Sequence, residues 1–237
     1  MARPVDSPGG RLYKPRKRIA PLTVALLPAK PLALAKTRLA PLLDAGDRAA
    51  IARAMFVDVV GALRAATALD AVLVVTADEA LRADAIAAGA VPIAEEPRGL
   101  NAAVLRGTAA AVARGASALL VVLSDIPLLT AADVDEICAL APARGALLVP
   151  SKEGTFTNAM LRCPPAAFPP RFGRRSLARH QAAAERRALP CRIVRSRRVG
   201  FDVDTPDDLR AFITTPSATA TYREACRLGL VSLRPVA

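Results

Sequence analysis

Apolar residues along this chain fall into two alternating patterns. Short unbroken runs occur at Leu22–Leu27, Ala71–Thr76, Val91–Ala94, Leu119–Leu123 and Ala146–Val149. A strand that is apolar at every position is buried on both faces, as in a parallel sheet covered by helices. Between the runs, apolar residues recur at helical spacing. Ile51, Met55, Val59 and Leu63 mark a helix over Asp47–Ala66 that either Asp44 or Asp47 opens. A second helix spans Ala80–Ala88, capped by Asp78-Glu79 and closed by Gly89. An Ala-rich helix begins near Asn101 and runs to Arg114 with Gly115 after it, and a fourth covers Ala131–Leu140. Strand and helix in strict alternation predict an α/β fold on a largely parallel sheet.

After Pro150 the pattern loosens. A polar loop, Ser151–Asn158, precedes a strand over Asn158–Leu161, and four prolines between Pro164 and Pro170 mark an irregular crossing. Arg171–Leu177 opens a helix through Arg187. Late strands are expected at Cys191–Val194 and Val199–Val203, then a helix with Thr205 as N-cap and Pro206 at its first position. The predicted organisation is a disordered basic arm over residues 1–20, one α/β domain over 21–214, and a C-terminal tail over 215–237 holding a short helix near Tyr222–Leu228.

Four stretches carry candidate chemistry. Asp125 follows the driest strand and precedes Pro127, which ends the ladder because it has no donor. In open α/β sheets ligands gather outside the carboxyl ends of strands. Asp125 is therefore either a cation ligand there or a plain loop residue ahead of a helix capped at Thr130 or Asp133. The loop after the first strand has no glycine, so it is not a Walker loop. It offers Lys30, Lys36 and Arg38 instead, which suit a triphosphate or form the charged surface of a short helix. Gly99 allows close approach of backbone to a ligand, and Asn101 either caps a helix or pairs with a base edge. Asp202 and Asp204 fall on one side of the expected strand, where two carboxylates repel unless a cation joins them. Gly173 and Ser176 at a helix start among arginines form a candidate anion site. His180, the single histidine, reads as a packing residue before a ligand.

The formal net charge is +12, which raises a nucleic-acid reading. Its distribution weakens that reading. Residues 1–18 contribute +5 and residues 162–198 contribute +10, leaving the rest at −3. Aromatics make up 3% of the chain, too few to interleave with the arginines as stacking platforms for single strands. A nucleic-acid partner is not expected. No apolar run reaches the ~20 residues of a membrane span. The first residues lead into no apolar core, so no secretory signal is expected. Cys138, Cys163, Cys191 and Cys226 form no C-x-x-C pair, which argues against structural zinc and for reduced thiols in a cytoplasmic protein.

Taken in order, six blocks resemble the nucleotidyltransferase branch of the GT-A-like, Rossmann-like α/β fold. More closely, they resemble the guanylyltransferases that activate a phosphorylated three-carbon acid in biosynthesis of the deazaflavin coenzyme F-420. The blocks are Ala35–Leu39, Gly99-Leu100-Asn101, Ser124–Leu128, Thr157-Asn158-Ala159, Phe172-Gly173-x-x-Ser176 with His180, and Phe201–Leu209. They span residues 22–213.

The resemblance implies that Asp125, Asp202 and Asp204 bind Mg²⁺, and that Lys30, Lys36 and Arg38 hold the triphosphate of GTP. Gly99 and Asn101 would lie near the guanine. Thr157, Gly173 and Ser176 would hold the acceptor, with Thr155 an alternative to Thr157. Asp125, Lys36 and Arg38 would carry the catalysis. An acceptor phosphate oxygen would attack the α-phosphorus of GTP, with phosphoenolpyruvate, 3-phosphoglycerate or 2-phospholactate as acceptor. Homodimerisation and transfer of product to the next pathway enzyme are further expectations. The rival readings are a molybdopterin guanylyl or sugar-phosphate nucleotidyltransferase, and a non-catalytic nucleic-acid-binding protein using the basic arm.

Overall fold

The computed structural model describes residues 22–94 and 99–233. The basic arm expected over residues 1–20 lies outside them. The strands are β1 (Leu22–Pro28), β2 (Ala71–Thr76), β3 (Val91–Ala94), β4 (Ala116–Val122), β5 (Gly145–Pro150), β6 (Thr157–Cys163) and β7 (Cys191–Ile193). They form one sheet in the order β3-β2-β1-β4-β6-β5-β7. Only β6 runs against its neighbours, β4 and β5; every other pairing is parallel. This is the expected mixed, mostly parallel α/β architecture.

The unbroken apolar runs are explained by two covered faces. Successive side chains of a strand point to opposite sides, and here both sides are dry. Ala25, Leu27, Val72, Val74, Leu120 and Val122 face α1 (Ala45–Ala65), α2 (Glu79–Ala87) and α4 (Ala131–Ala139). Val24, Leu26, Leu73, Val75, Leu119 and Val121 face α3 (Leu100–Ala113) and α5 (Ser176–Glu185). Helix α3 lies so close to β1 that a Cβ on Gly107 would come 2.3 Å from Leu26 Cδ1. That closeness fixes where the first turn of α3 stands relative to the end of β1.

Three expectations give way. Val199–Val203 is not a strand: Gly200 and Phe201 donate back to Ser196 and Arg198 in turns, and Val203 N–H makes a single bond to Asp125 O at 3.0 Å. The helix expected from Arg171 starts at Ser176, because Gly173 (φ 104°) and Arg175 (φ 55°) take left-handed backbone that delays it. The expected C-terminal tail is part of the core. Helix α7 (Ala220–Arg227) packs on α1 and on α6 (Pro206–Ile213), with Ala225 beside Ile51, Met55 and Phe212. Asp58 of α1 caps α7, accepting from Ala220 N at 2.6 Å, Thr221 N at 2.9 Å and Thr221 Oγ1 at 2.6 Å. Among the described residues no helix is long and apolar enough to cross a membrane.

A helix cap of this kind is worth about 1–2 kcal/mol. Asp58→Ala is therefore expected to lower unfolding stability by about that amount in urea denaturation. An unchanged midpoint would show that α7 is not held through Asp58.

Candidate active site

The carboxyl ends of β1 and β4 lie side by side, since the two strands pair in parallel. Beyond β1 the chain makes two short 3-10 turns, Leu32–Leu34 and Thr37–Leu39. Between them Lys36 takes left-handed backbone (φ 49°), an uncommon state for a residue with a Cβ. That turn aims its side chain back over the sheet. The Lys36 ammonium donates to Asp125 Oδ2 at 3.0 Å and to Asp204 Oδ1 at 2.7 Å. Asp125 follows β4, and Asp204 precedes α6. One buried cation thus joins three segments distant in sequence. Arg38, largely exposed, stands 3.8 Å from the other oxygen of Asp204.

Electrostatics follow from this geometry. Burial disfavours the Lys36 ammonium, yet the charges of Asp125 and Asp204 outweigh it and raise its pKa. Burial likewise disfavours the Asp204 carboxylate, but Lys36, then Arg38, hold its pKa below the usual carboxylate range. Asp204 therefore stabilises the fold above that range and loses its contribution as pH falls through its depressed pKa. Asp202 behaves oppositely: burial, followed by the neighbouring Asp125 and Asp204 charges, raises its pKa against the opposing bond from Asn158. Asp202 Oδ1 accepts from Asn158 Nδ2 at 3.0 Å. Asp125 Oδ1 is buried with no hydrogen-bond partner.

These groups edge an open cleft of about 390 Å³ lined by Lys30, Lys36, Arg38, Ser124, Asp125 and Asp204, among others. A second lobe of about 320 Å³ adjoins it, sharing Pro28, Lys30 and Leu100 and closed by Ala77, Gly99 and Ala103. The first lobe is charged; the second is mostly apolar. Lys30, Lys36, Arg38, Asp125, Asp204 and Gly99 are thus brought to one cleft.

Asn101, Thr157, Gly173 and Ser176 lie together where β6, α3 and the approach to α5 meet. Asn101 neither caps α3 nor faces the cleft. Its Oδ1 accepts from Phe172 N at 2.8 Å, and its Nδ2 donates to Phe172 O at 3.1 Å. The helix cap is Gly99 (φ 93°). Thr157 and Ser176 are each about 1% exposed. Thr157 N–H donates to Ser176 Oγ at 2.9 Å, and Thr157 Oγ1 lies 3.1 Å from His180 Nδ1. Ser176 Oγ is thus engaged by the Thr157 backbone and the Thr157 hydroxyl by His180, so both side chains brace the interior. Gly173 and Thr155 are the exposed members of the set.

Asp125, Asp202 and Asp204 lie near one another, and the charges of Asp125 and Asp204 act on Asp202. Lys36 stands between Asp125 and Asp204, and Asp202 is bonded to Asn158. The arginines of 162–198 do not form one patch. Arg162 is buried and bonded to Phe168 O and Thr108 Oγ1, and Arg198 pairs with Asp133. The network through Asn158, Asn101 and His180 escaped the sequence reading. The one available signal was three polar residues in segments otherwise apolar or Arg-rich.

A family model described as CofC-like guanylyl transferase matches residues 23–232. The chain belongs to that family. Among its relatives is the phosphoenolpyruvate guanylyltransferase of Conexibacter woesei, 43% identical over 192 residues, which cover 80% of this chain and 86% of that protein. The 3-phospho-D-glycerate guanylyltransferase of Phenylobacterium zucineum is 38% identical over 178 residues, 73% of this chain and 82% of that protein. A crystal structure from Desulfovibrio desulfuricans, provisionally assigned as a nucleotide-diphospho-sugar transferase, superposes with a TM-score of 0.72 at 16% identity. It covers 88% of this chain and 96% of that one, a likeness of fold. The family match extends past residue 213 through α7, in keeping with the packing of that helix on α1.

Lys36→Met is expected to move the Asp204 titration to higher pH in carboxyl-detected NMR, because its main counter-charge is gone. An unmoved midpoint would show that the ammonium is not its partner.

Proposed function

We propose that this guanylyltransferase transfers GMP from GTP to the phosphate of a three-carbon phospho-acid, with phosphoenolpyruvate as the leading acceptor, and releases pyrophosphate. The observation that carries the reading is the Lys36 bridge between Asp125 and Asp204 at the charged end of a two-lobed cleft. A triphosphate needs cations at one end and an apolar slot for its base at the other. Lys30, Lys36 and Arg38 supply the first. The lobe at Ala77, Gly99 and Leu100 supplies the second.

The donor set fits a divalent cation on one observation: Asp125 Oδ1 is buried and unpartnered, a costly state for a carboxylate oxygen. Asp125 with Asp204 or Asp202 would hold Mg²⁺ together with the substrate phosphates. The ion would supply Lewis-acid stabilisation of charge on the transferring phosphoryl group. Two carboxylates beside one lysine leave an anionic pole that a polyanion meets only with a cation present.

The chain's own residues do the rest. Lys30 and Arg38 hold the β- and γ-phosphates, and Lys36 is released from Asp125 or Asp204 to meet them. The acceptor is held by the exposed backbone of Gly173 and by Thr155. Its phosphate oxygen forms the new bond to the α-phosphorus in line as the bond to the β-phosphate oxygen breaks. Pyrophosphate leaves with that electron pair. The nucleophile is already an anion, so no side chain has to take a proton, and catalysis rests on positioning and charge. The product is an activated phosphoanhydride suited to coenzyme F-420 biosynthesis.

Incubation with GTP, Mg²⁺ and each acid in turn, with mass detection, is expected to give a GMP adduct of phosphoenolpyruvate at the highest rate among phosphoenolpyruvate, 3-phosphoglycerate and 2-phospholactate. Asp125→Ala is expected to cut turnover by at least about 100-fold with an unchanged circular dichroism spectrum. Near-normal turnover in that variant would overturn the assignment.

A further inference from the structure

The segment Arg171–Arg175 crosses from β6 to α5, and two side chains from different helices grip its first two residues. Arg171 N–H donates to His180 Nε2 at 2.8 Å. The next residue, Phe172, exchanges a pair of bonds with the Asn101 carboxamide on α3, one in each direction. That exchange has the form of a strand pairing, made by a side chain.

The imidazole state follows from the donors around it. A backbone N–H can only donate, so Nε2 accepts and the ring proton of a neutral imidazole sits on Nδ1. Nδ1–H then donates to Thr157 Oγ1, whose backbone N–H is already given to Ser176 Oγ. His180 is fully buried, and the Phe172 ring stands edge-on to it at 4.8 Å. Burial, then the charges of Arg162, Arg179 and Arg171, push its pKa down to about 3. The ring is a neutral strut with both nitrogens committed.

What the grip leaves over matters. Among the described residues no hydrogen bond uses the N–H groups of Gly173, Arg174 or Arg175; the next donation along the chain is Leu177 N–H to Thr155 O. Gly173 and Arg175 take left-handed backbone, and successive N–H groups in a turn of that kind can form an anion-binding nest. A Cβ at Gly173 would meet nothing within 4 Å, so the space beside that residue is open. Asn101 also follows Leu100, which lines both lobes of the cleft. The first turn of α3 therefore touches the cleft with one residue and the loop with the next.

We infer that Asn101 and His180 are positioning residues for the acceptor. They fix Arg171–Arg175 so that its free amides face the phospho-acid, and Asn101 ties that loop to the helix turn bordering the nucleotide cleft. This rests on the acceptor reading of the Gly173 loop given above. Neither side chain touches a reacting atom. Their effect is on acceptor binding, and loss of either grip lets the amides turn away.

The test uses the full chain and its single histidine. In ¹⁵N-labelled wild type, the two imidazole nitrogens are expected to report a neutral Nδ1–H ring from pH 8 to pH 5. They are expected to shift on addition of phosphoenolpyruvate alone, without turnover. Asn101→Ala is expected to need about tenfold more phosphoenolpyruvate for the same shift. Its acceptor KM is expected to rise about tenfold, with kcat within about threefold and the GTP KM nearly unchanged. Asn101→Asp, which keeps the acceptor for Phe172 N–H but sets a carboxylate against Phe172 O, is expected to be no better than the alanine variant. A rise in the GTP KM without one for the acid would mean that Asn101 reads the base, and would overturn the inference. So would a histidine that titrates near 6.5, or wild-type nitrogens indifferent to the acid. Absence of turnover in wild type with an intact acid-induced shift would count against GMP transfer and leave this positioning role standing.

Discussion

One ammonium group organises the cleft. Lys36 sits 3.0 Å from Asp125 and 2.7 Å from Asp204, and its side chain is only 9% exposed. Without it, two carboxylates would face each other in a partly dry pocket, and one would have to take up a proton. Lysine is here a charge on a long stem, reached only because its own backbone is left-handed. The bridge carries mechanical meaning as well. It joins the loop after β1, the end of β4 and the approach to α6, while the backbone bond from Val203 to Asp125 ties the last two independently. A buried pair of this kind contributes little net stability after desolvation. Its value lies in holding three segments in one arrangement.

A second layer of constraint stands behind the first. Asp208 at the N-terminus of α6 accepts from Thr205 and from Asp204 N–H, and Lys152 holds its other oxygen. The Asp204 backbone is thus pinned by a helix cap while its side chain is pinned by Lys36. Asn158 does the same for Asp202, donating to its carboxylate and to Val199 O. The segment carrying both aspartates is not a strand, so it has no ladder to hold it. Side-chain bonds from β6 and α6 take over that task, which is how a non-repetitive stretch comes to present carboxylates at defined places.

The sheet was legible because its physics is local. A run such as Leu119–Val122, dry on both faces, writes its burial into every consecutive position, and helix caps such as Thr130 and Thr205 declare themselves within four residues. Asp125 was legible for the same reason, as a carboxylate at the end of the driest strand. Val199–Val203 misled because alternation of aspartate with apolar residues looks like a half-buried strand, yet the preceding turn at Ser196–Gly200 denies it a partner. Helix α7 was read as a tail because its docking depends on Asp58, 162 residues away. The grip of Asn101 on Phe172 spans 71 residues and leaves no period in either segment. Thr157, Ser176 and His180 were picked out as polar residues in the right neighbourhood. Which of them face one another, and which face outward, is set by where α5 packs against β5 and β7 and by its hydrogen bonds to Thr157, and no spacing rule encodes it.

The division of labour between charges explains the odd loop after β1. A glycine-rich phosphate loop works by turning backbone amides onto oxygen, and it pays in conformational entropy for each glycine. On the proposed reading this chain would instead use Lys30, Lys36 and Arg38 as point charges on a loop of two tight 3-10 turns, with Lys36 held by its two carboxylates, and would use backbone amides at the loop of Gly173. The two anions of the reaction would then be bound by different means. A flexible triphosphate would be met by long cationic side chains, and a small rigid acid by amides held in place by Asn101 and His180. Cations on the leaving-group side and fixed amides on the nucleophile side would let one partner separate while the other stays in line.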